Sequence, residues 1–179
     1  MFLSIGMLKL NYFLADIFIL SAEKQPIKLS WRKIECLRST HPFEEPSYEE
    51  LTLDSKWCIV GRANKRVGLA VADSPYGPWK RLDEPILKTE PNTFYSYLTS
   101  NPSPVVRKDG SVLMIFKGRA HTENGGYSNM ALGIASAPSI EGPYTVQNDK
   151  KPIFQVEGQG EAEDPFLWED ERGFHIIYI

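Results

Sequence analysis

The chain has 179 residues, 42% of them hydrophobic, and its 20 basic and 23 acidic residues give a net charge of −3. This length is sufficient for one globular domain with a hydrophobic core. The charges are well mixed and form no basic block, which excludes nucleic acid as an expected partner. Cys36 and Cys58 show neither metal-ligand spacing nor a disulfide framework, so we predict two buried thiols in preference to one bridge between them, and no metal or cofactor.

The N-terminal stretch MFLSIGMLKLNYFLADIFILSA (residues 1–22) is apolar enough to suggest a signal peptide or an anchor. It lacks a basic start, however, and Lys9, Asn11 and Asp16 interrupt it. A central charge costs about 2.5–3.5 kcal/mol in a membrane helix. We therefore expect no membrane partner, and interpret this stretch as buried hydrophobic segments or non-native sequence.

An internal repeat begins at residue 66. The segment RVGLAVADSPYGPWKRLDEPIL (66–87) matches ALGIASAPSIEGPYTVQNDKKPIF (131–154) with an offset of 65 and, after two inserted residues, 67. The matched positions are Gly68 and Gly133, Gly77 and Gly142, Pro78 and Pro143, and Trp79 and Tyr144. The small and β-branched residues predict short strands, and each Gly-Pro-aromatic segment predicts a turn that opens the next strand.

A second match follows each of these segments. SNPSPVVRKDGSVLMIFKG (100–118) aligns with EDPFLWEDERGFHIIYI (163–179), and both the prolines and the turn glycines are offset by 63. The first segment predicts a hairpin with an Asp-Gly turn. The second predicts a hairpin with a longer turn that ends in glycine. No stretch combines helical periodicity with helix caps, so we predict an all-β chain.

Four short strands that recur about every 65 residues are typical of β-propeller blades. A β-sandwich could carry similar strands, but it would not require the repeated Gly-Pro-aromatic and Asn/Asp-Pro marks. Two full units and a partial third fit into the chain. We therefore predict a partial propeller of about two to three blades over residues 39–179. Residues 1–38 form an atypical N-terminal segment in this prediction, either non-native or frameshifted.

These motifs resemble the five-bladed β-propeller glycoside hydrolases of the family 43 type, which include arabinanases and β-xylosidases. The resemblance covers roughly residues 40–179, and the segments that carry it are RVGLAVADSPYGPWKRLDEPIL, SYLTSNPSPVVRKDGSVLMIFKGRA, LGIASAPSIEGPY and EDPFLWEDERGFHIIY. It implies hydrolysis of glycosidic bonds in a polysaccharide or oligosaccharide. It also slightly favours a secreted or periplasmic location. Since such propellers close a ring of about five blades, the chain is expected to be a fragment, able to self-associate through open edges.

The resemblance implies that channel-facing carboxylates at the start of the innermost strands cleave the bond. In one register Glu163 takes the place of the general acid. In the other, the internal repeat places Asp164 at the position of Asn101, where it would face the channel and be similar to the family's stabilising aspartate, and we favour this register slightly. Proline suits a strand start and holds the preceding residue extended. Because successive side chains alternate between faces, Glu163 and Asp164 are not expected to face the channel together.

Asn101 departs from the family pattern, which often has aspartate at this position. An amide cannot ionise, so Asn101 is expected to bind sugar hydroxyls through hydrogen bonds. The family's water-activating base has no counterpart that the sequence reveals. Further substrate-binding candidates are Lys117, Arg119, His121 and Tyr97.

Several other residues are expected to be structural. His175, Trp79 and Tyr144 are predicted to pack, and Glu169, Asp170 and Glu171 are predicted to form a charged turn. Two alternatives to hydrolysis remain open. One is a non-catalytic carbohydrate-binding propeller, and the other is a glycoside phosphorylase, which would need a cationic cluster to hold phosphate.

Overall fold

The computed structural model describes residues 18–20, 27–34, 65–73, 76, 78–158 and 160–179, the first two ranges by their backbone alone. The predictions made for Cys36, Cys58, Gly77, the boundary after residue 38 and the N-terminal stretch, apart from the backbone of residues 18–20, lie outside these residues.

The described residues form eleven strands and one short 3-10 turn. The strands are β1 (Phe18–Leu20), β2 (Ile27–Ile34), β3 (Lys65–Ala72), β4 (Lys80–Arg81), β5 (Leu98–Val106), β6 (Val112–Arg119), β7 (Ala131–Ala137), β8 (Thr145–Val146), β9 (Phe154–Gln155), β10 (Phe166–Asp170) and β11 (Gly173–Ile177). The 3-10 turn is Asn148–Lys150. The predicted all-β class is therefore confirmed for the part of the chain that the structure describes.

The strands form three antiparallel sheets in chain order. The first sheet has the order β1-β2-β3-β4, the second has β5-β6-β7-β8 with β9 also paired to β7, and the third is the hairpin β10-β11. Strand β5 contacts β2 and β3 of the first sheet and β10 of the third. The first strands of the second and third sheets, β5 and β10, thus lie next to each other, and β5 also lies next to the first sheet, as expected for successive blades of a partial propeller.

The internal repeat is preserved in the strand register. Ala70 pairs with Arg81 in the first sheet, and Ala135 pairs with Val146 in the second, so both members are offset by 65. The bridge between Val67 and Leu87 recurs as the pair Leu132 and Phe154. The sequence repeat is therefore a repeat of hydrogen-bonded geometry.

The two inserted residues are absorbed by the 3-10 turn between β8 and β9. Asn148, Asp149 and Lys150 all have left-handed backbones, with φ between 52° and 59°. A backbone turned in this way returns the chain to β7, where Ile153 N–H donates to the Leu132 carbonyl at 2.8 Å. In the first sheet, Ile86 N–H makes the equivalent bond to the Val67 carbonyl at 2.9 Å.

The two hairpins differ from each other in turn length. After β5, Gly110 has φ +86° and its N–H donates to the Arg107 carbonyl at 2.9 Å, which confirms the predicted Asp-Gly turn. In the third sheet, Asp170 pairs directly with Gly173, leaving only two residues in the turn. The prediction of a longer turn was wrong, because strand β10 extends through Glu169 and Asp170 instead of ending before them.

A notch of two glycines organises the core of the second sheet. The Phe94 ring lies over Gly118 and Gly133, where an added Cβ would come within 2.8 Å and 2.3 Å of ring atoms. This ring also stacks on Phe116, with centroids 5.7 Å apart, and meets Tyr95 edge-on at 5.1 Å. Only a residue without a side chain leaves room for this aromatic cluster on the sheet.

We predict that Gly133→Ala lowers the free energy of unfolding by about 1–3 kcal/mol, because the methyl group displaces Phe94 and Phe116 from a packed core. The urea midpoint measures this change. Gly126→Ala is the matched control, since its Cβ would meet only the Thr122 hydroxyl at 3.2 Å. Equal urea midpoints for the two variants would show that the aromatic rings do not require a glycine at position 133.

A second prediction concerns Tyr95, which is buried and donates its hydroxyl to Glu90 Oε2 at 2.9 Å. Burial, followed by this hydrogen bond, raises the pKa of Tyr95 from 10.0 to about 12. The unfolded chain therefore ionises first, so this contribution to stability is complete below pH 10 and is lost as the pH rises to about 12. Urea unfolding across this window should show a shallower decline for Tyr95→Phe, and an unchanged slope would contradict the assignment.

Candidate functional site

The strongest structural repeat lies where β5 and β10 begin. The register between β5 and β6 shifts between Ser100 and Ser103, so Asn101 and Pro102 form a β-bulge. In the third sheet, Glu163 and Ile179 exchange backbone hydrogen bonds of 2.9 and 3.0 Å, and the next pair is Phe166 with Ile177. Asp164 and Pro165 therefore occupy the equivalent bulge in the third sheet.

Asn101 and Asp164 share an unusual backbone, since both have φ +46°. The expectation that proline holds the preceding residue extended was therefore wrong. Residues of the left-handed region are uncommon except for glycine, asparagine and aspartate, whose short polar side chains tolerate it. Pro102 lies within β5 and not at the start of the strand. It is tolerated there because a bulged residue makes no ladder hydrogen bond, so the missing N–H of proline removes none.

The bulge brings the candidate acids against the second sheet. Asn101 Nδ2 donates to Asp164 Oδ1, Lys117 Nζ lies 2.9 Å from Glu163 Oε2, and Arg119 Nη2 pairs with Glu161 Oε1. We call these six residues the carboxylate cluster. Residues 161–165 precede β10 and are not in a strand. Glu163 and Asp164 both contact side chains of the second sheet. The expectation that they do not face the channel together stays a prediction.

The second-sheet half of the cluster is buried, whereas the acids are accessible. Asn101, Lys117 and Arg119 are 3%, 4% and 7% exposed. The side chains of Glu161 and Glu163 are 37% and 36% exposed, and Asp164 is exposed as well. Three buried polar atoms of this region have no hydrogen-bond partner among the described residues, namely Ser100 Oγ, Asn101 Oδ1 and Arg119 Nε. Buried polar atoms are normally satisfied by protein, water or a ligand.

Aromatic side chains pack against one another beside the cluster. The Tyr97 ring lies edge-on to His121 at 5.0 Å and stacks on Tyr127 at 5.3 Å. Arg119 lies over the Tyr127 ring, 4.6 Å from its centroid. The predicted residues Tyr97, Arg119 and His121 are thus brought together. Tyr127 was missed, because an exposed tyrosine in a polar loop carries no periodic signal.

Two of the residues predicted to pack, Tyr144 and His175, contact other side chains of the fold. Tyr144 packs against the core beside β8, and burial raises the pKa of its hydroxyl. His175 stacks on Trp168 at 5.0 Å and contacts Asp170 Oδ1 at 2.9 Å. Hydrogen bonds from Arg172, and then from His175, lower the pKa of Asp170.

No group of three or more His, Cys, Asp or Glu side chains within the described ranges has the geometry of a metal site. Among these same residues, no helix is long and apolar enough to cross a membrane.

The fold is similar to those of several solved glycoside hydrolases. A family 117 glycoside hydrolase from the marine bacterium Zobellia galactanivorans matches with a TM-score of 0.60 at 18% identity, over 97% of this chain and 43% of that one. Another glycoside hydrolase matches with a TM-score of 0.63 at 15% identity, over 92% and 47%. An α-L-arabinofuranosidase from Clostridium thermocellum matches with a TM-score of 0.50 at 13% identity, over 94% and 52%.

The propeller fold predicted from the motifs is confirmed by these similarities. The chain spans about half the length of each of these structures. At such identities the similarity concerns the fold. No protein-family model matches the sequence, and no curated protein matches it either.

We predict that Lys117 and Glu163 are energetically coupled by about 1–3 kcal/mol, because the ammonium group is buried and loses its counter-charge when Glu163 is neutralised. A double-mutant cycle with Lys117→Met and Glu163→Gln, followed by urea unfolding, measures this coupling. The control is the exposed pair of Lys88 and Glu84, 2.8 Å apart, for which we expect no more than about 0.5 kcal/mol. Equal coupling in the two cycles would show that the buried pair is energetically unremarkable.

Proposed function

We propose that this propeller binds carbohydrate and cleaves glycosidic bonds through the carboxylates of Glu163 and Asp164. One observation carries the proposal. Both carboxylates lie at the start of the third sheet, accessible to a ligand, and each is held by a side chain of the second sheet. The fold in which they lie is similar to those of glycoside hydrolases.

Glycosidic cleavage requires two groups with different roles. An acid transfers its proton to the glycosidic oxygen as the bond from that oxygen to the anomeric carbon breaks. A second carboxylate removes a proton from the attacking water, or attacks the anomeric carbon itself. A residue of the carboxylate cluster can act as the proton donor. No residue in the described part of the chain is assigned to activate water or to attack the anomeric carbon.

The partners of the two acids favour Asp164 as the proton donor. Asn101 has an amide nitrogen that donates and a carbonyl oxygen that accepts, so it can hold the Asp164 carboxyl with or without its proton. Its carbonyl oxygen has no partner among the described residues. Lys117 only donates and therefore suits a Glu163 that stays charged. Glu163 would then stabilise positive charge on the sugar ring in the transition state.

Binding without cleavage is the second candidate function. It is favoured by the engagement of all three acids of the cluster, Glu161, Glu163 and Asp164, with side chains of the second sheet. Asn101, an amide at a position where the related enzymes often have an acid, also favours it. In such a module, Asn101, Tyr97 and His121 would hold sugar hydroxyls and ring faces.

Phosphorolysis is supported less well. A phosphate nucleophile needs cations that are available to hold it, and Lys117 and Arg119 are already paired with carboxylates. His121 is exposed, and its ring lies edge-on to Tyr97.

We predict that Asp164→Asn reduces the hydrolysis of aryl glycosides and oligosaccharides by the full chain at least about 100-fold, because the leaving oxygen loses its proton donor. Glu163→Gln should reduce it as well. Reducing-sugar release and calorimetric binding are measured side by side, with Glu171→Gln, in the exposed turn of the third sheet, as the control.

If the wild-type chain binds sugar without hydrolysing it, and both variants bind with the wild-type affinity, the carbohydrate-binding module is favoured. Hydrolysis that survives both substitutions would show that other residues perform the chemistry.

A further inference from the structure

The two buried cations of the carboxylate cluster are already neutralised. The side chains of Lys117 and Arg119 are 5% and 8% exposed, and each contacts one glutamate. A buried cation that is paired in this way has little charge left to attract an anionic ligand. Displacing its glutamate would bring two like charges, ligand and displaced carboxylate, into the same site.

The cluster also carries no net positive charge that could attract an anion. With Asp164 as the proton donor, the two glutamates of the cluster balance its two cations, and Asn101 is neutral. Of the three buried atoms without a partner among the described residues, Ser100 Oγ and Asn101 Oδ1 belong to neutral side chains and can accept hydrogen bonds, whereas Arg119 Nε can only donate. Sugar hydroxyls can donate to the first two atoms and accept from the third.

Glu161 is held more tightly than the other acids. Its Oε1 accepts from Arg119 Nη2, and its Oε2 accepts from the backbone N–H of Met130. The same guanidinium lies over Tyr127, a residue that is 43% exposed. Glu161 therefore occupies a donor of the guanidinium that lies over Tyr127, and this donor is not available to a ligand while the pair is intact.

We propose that this site selects uncharged sugars over uronic-acid sugars, and that Glu161 determines this selectivity by occupying Arg119. The inference rests on the proposed carbohydrate function and names the substrate class of that same site. Without the Glu161 charge, the guanidinium presents its donors beside Tyr127, where a sugar carboxylate can accept two parallel hydrogen bonds.

The test compares neutral xylo- and arabino-oligosaccharides with oligogalacturonates of equal length, using calorimetric titration of the full chain at neutral pH. Wild type is expected to bind a neutral oligosaccharide and to bind oligogalacturonate at least about tenfold more weakly. Glu161→Gln keeps the size of the side chain and should raise affinity for oligogalacturonate roughly tenfold. This gain should shrink with added salt, as expected for a charge pair.

Two further variants define the controls. Glu171→Gln makes the same charge change in the exposed turn of the third sheet and should leave oligogalacturonate affinity unchanged. Glu161→Gln combined with Arg119→Gln should lose the gained affinity, which separates a freed guanidinium from a disturbed fold. Thermal melting of each variant reports whether it is folded.

The outcomes separate this inference from the proposed function. Tighter binding of oligogalacturonate than of neutral oligosaccharides by wild type would overturn the inference and leave a carbohydrate function in place. Neutral binding without any gain in folded Glu161→Gln would overturn the role of Glu161. Binding of neither glycan class by wild type or by Glu161→Gln would overturn the proposed function, and the inference with it.

Discussion

The pairing of three side chains of the second sheet with three acids of the third is the constraint on which the site depends. Lys117 and Arg119 are buried, and a buried cation is tolerated only when a counter-charge and hydrogen bonds compensate its lost hydration. Glu163 and Glu161 supply those charges from the neighbouring sheet. The carboxylates are therefore fixed in place by the same contacts that join one blade to the next. Ser103 Oγ, which accepts from Leu167 N–H at 2.7 Å, strengthens the same junction.

Much of the fold could be predicted because the repeated positions are residues that constrain the backbone. Glycine, proline and aromatic positions recur at fixed offsets, and such residues constrain turns and packing directly. The register of β3 with β4 and of β7 with β8 follows that spacing. The bulge could not be predicted in the same way. Asn-Pro and Asp-Pro favour extended geometry locally, and only the surrounding sheets impose the left-handed conformation that the structure contains.

The residue types of the carboxylate cluster could be singled out in the sequence, whereas their partners could not. Lys117 and Arg119 stood out as cations at the end of a strand, and Glu163 and Asp164 stood out as acids next to a proline. Which cation meets which acid depends on how two sheets lie side by side, and on residues 46 and 42 positions apart in the chain. Tyr127 illustrates the same limit, since its role arises from contacts with Tyr97 and Arg119 and not from any local pattern.

The shared backbone of Asn101 and Asp164 has a consequence for how such a site can change over time. Asparagine and aspartate have the same shape and both tolerate a positive φ, so either residue fits either bulge without altering the main chain. One such exchange changes the charge around the cluster by a single unit without requiring a different backbone conformation at the bulge. The backbone of the bulge therefore does not depend on whether the residue can ionise. A propeller with this repeat can gain or lose an acid through one substitution.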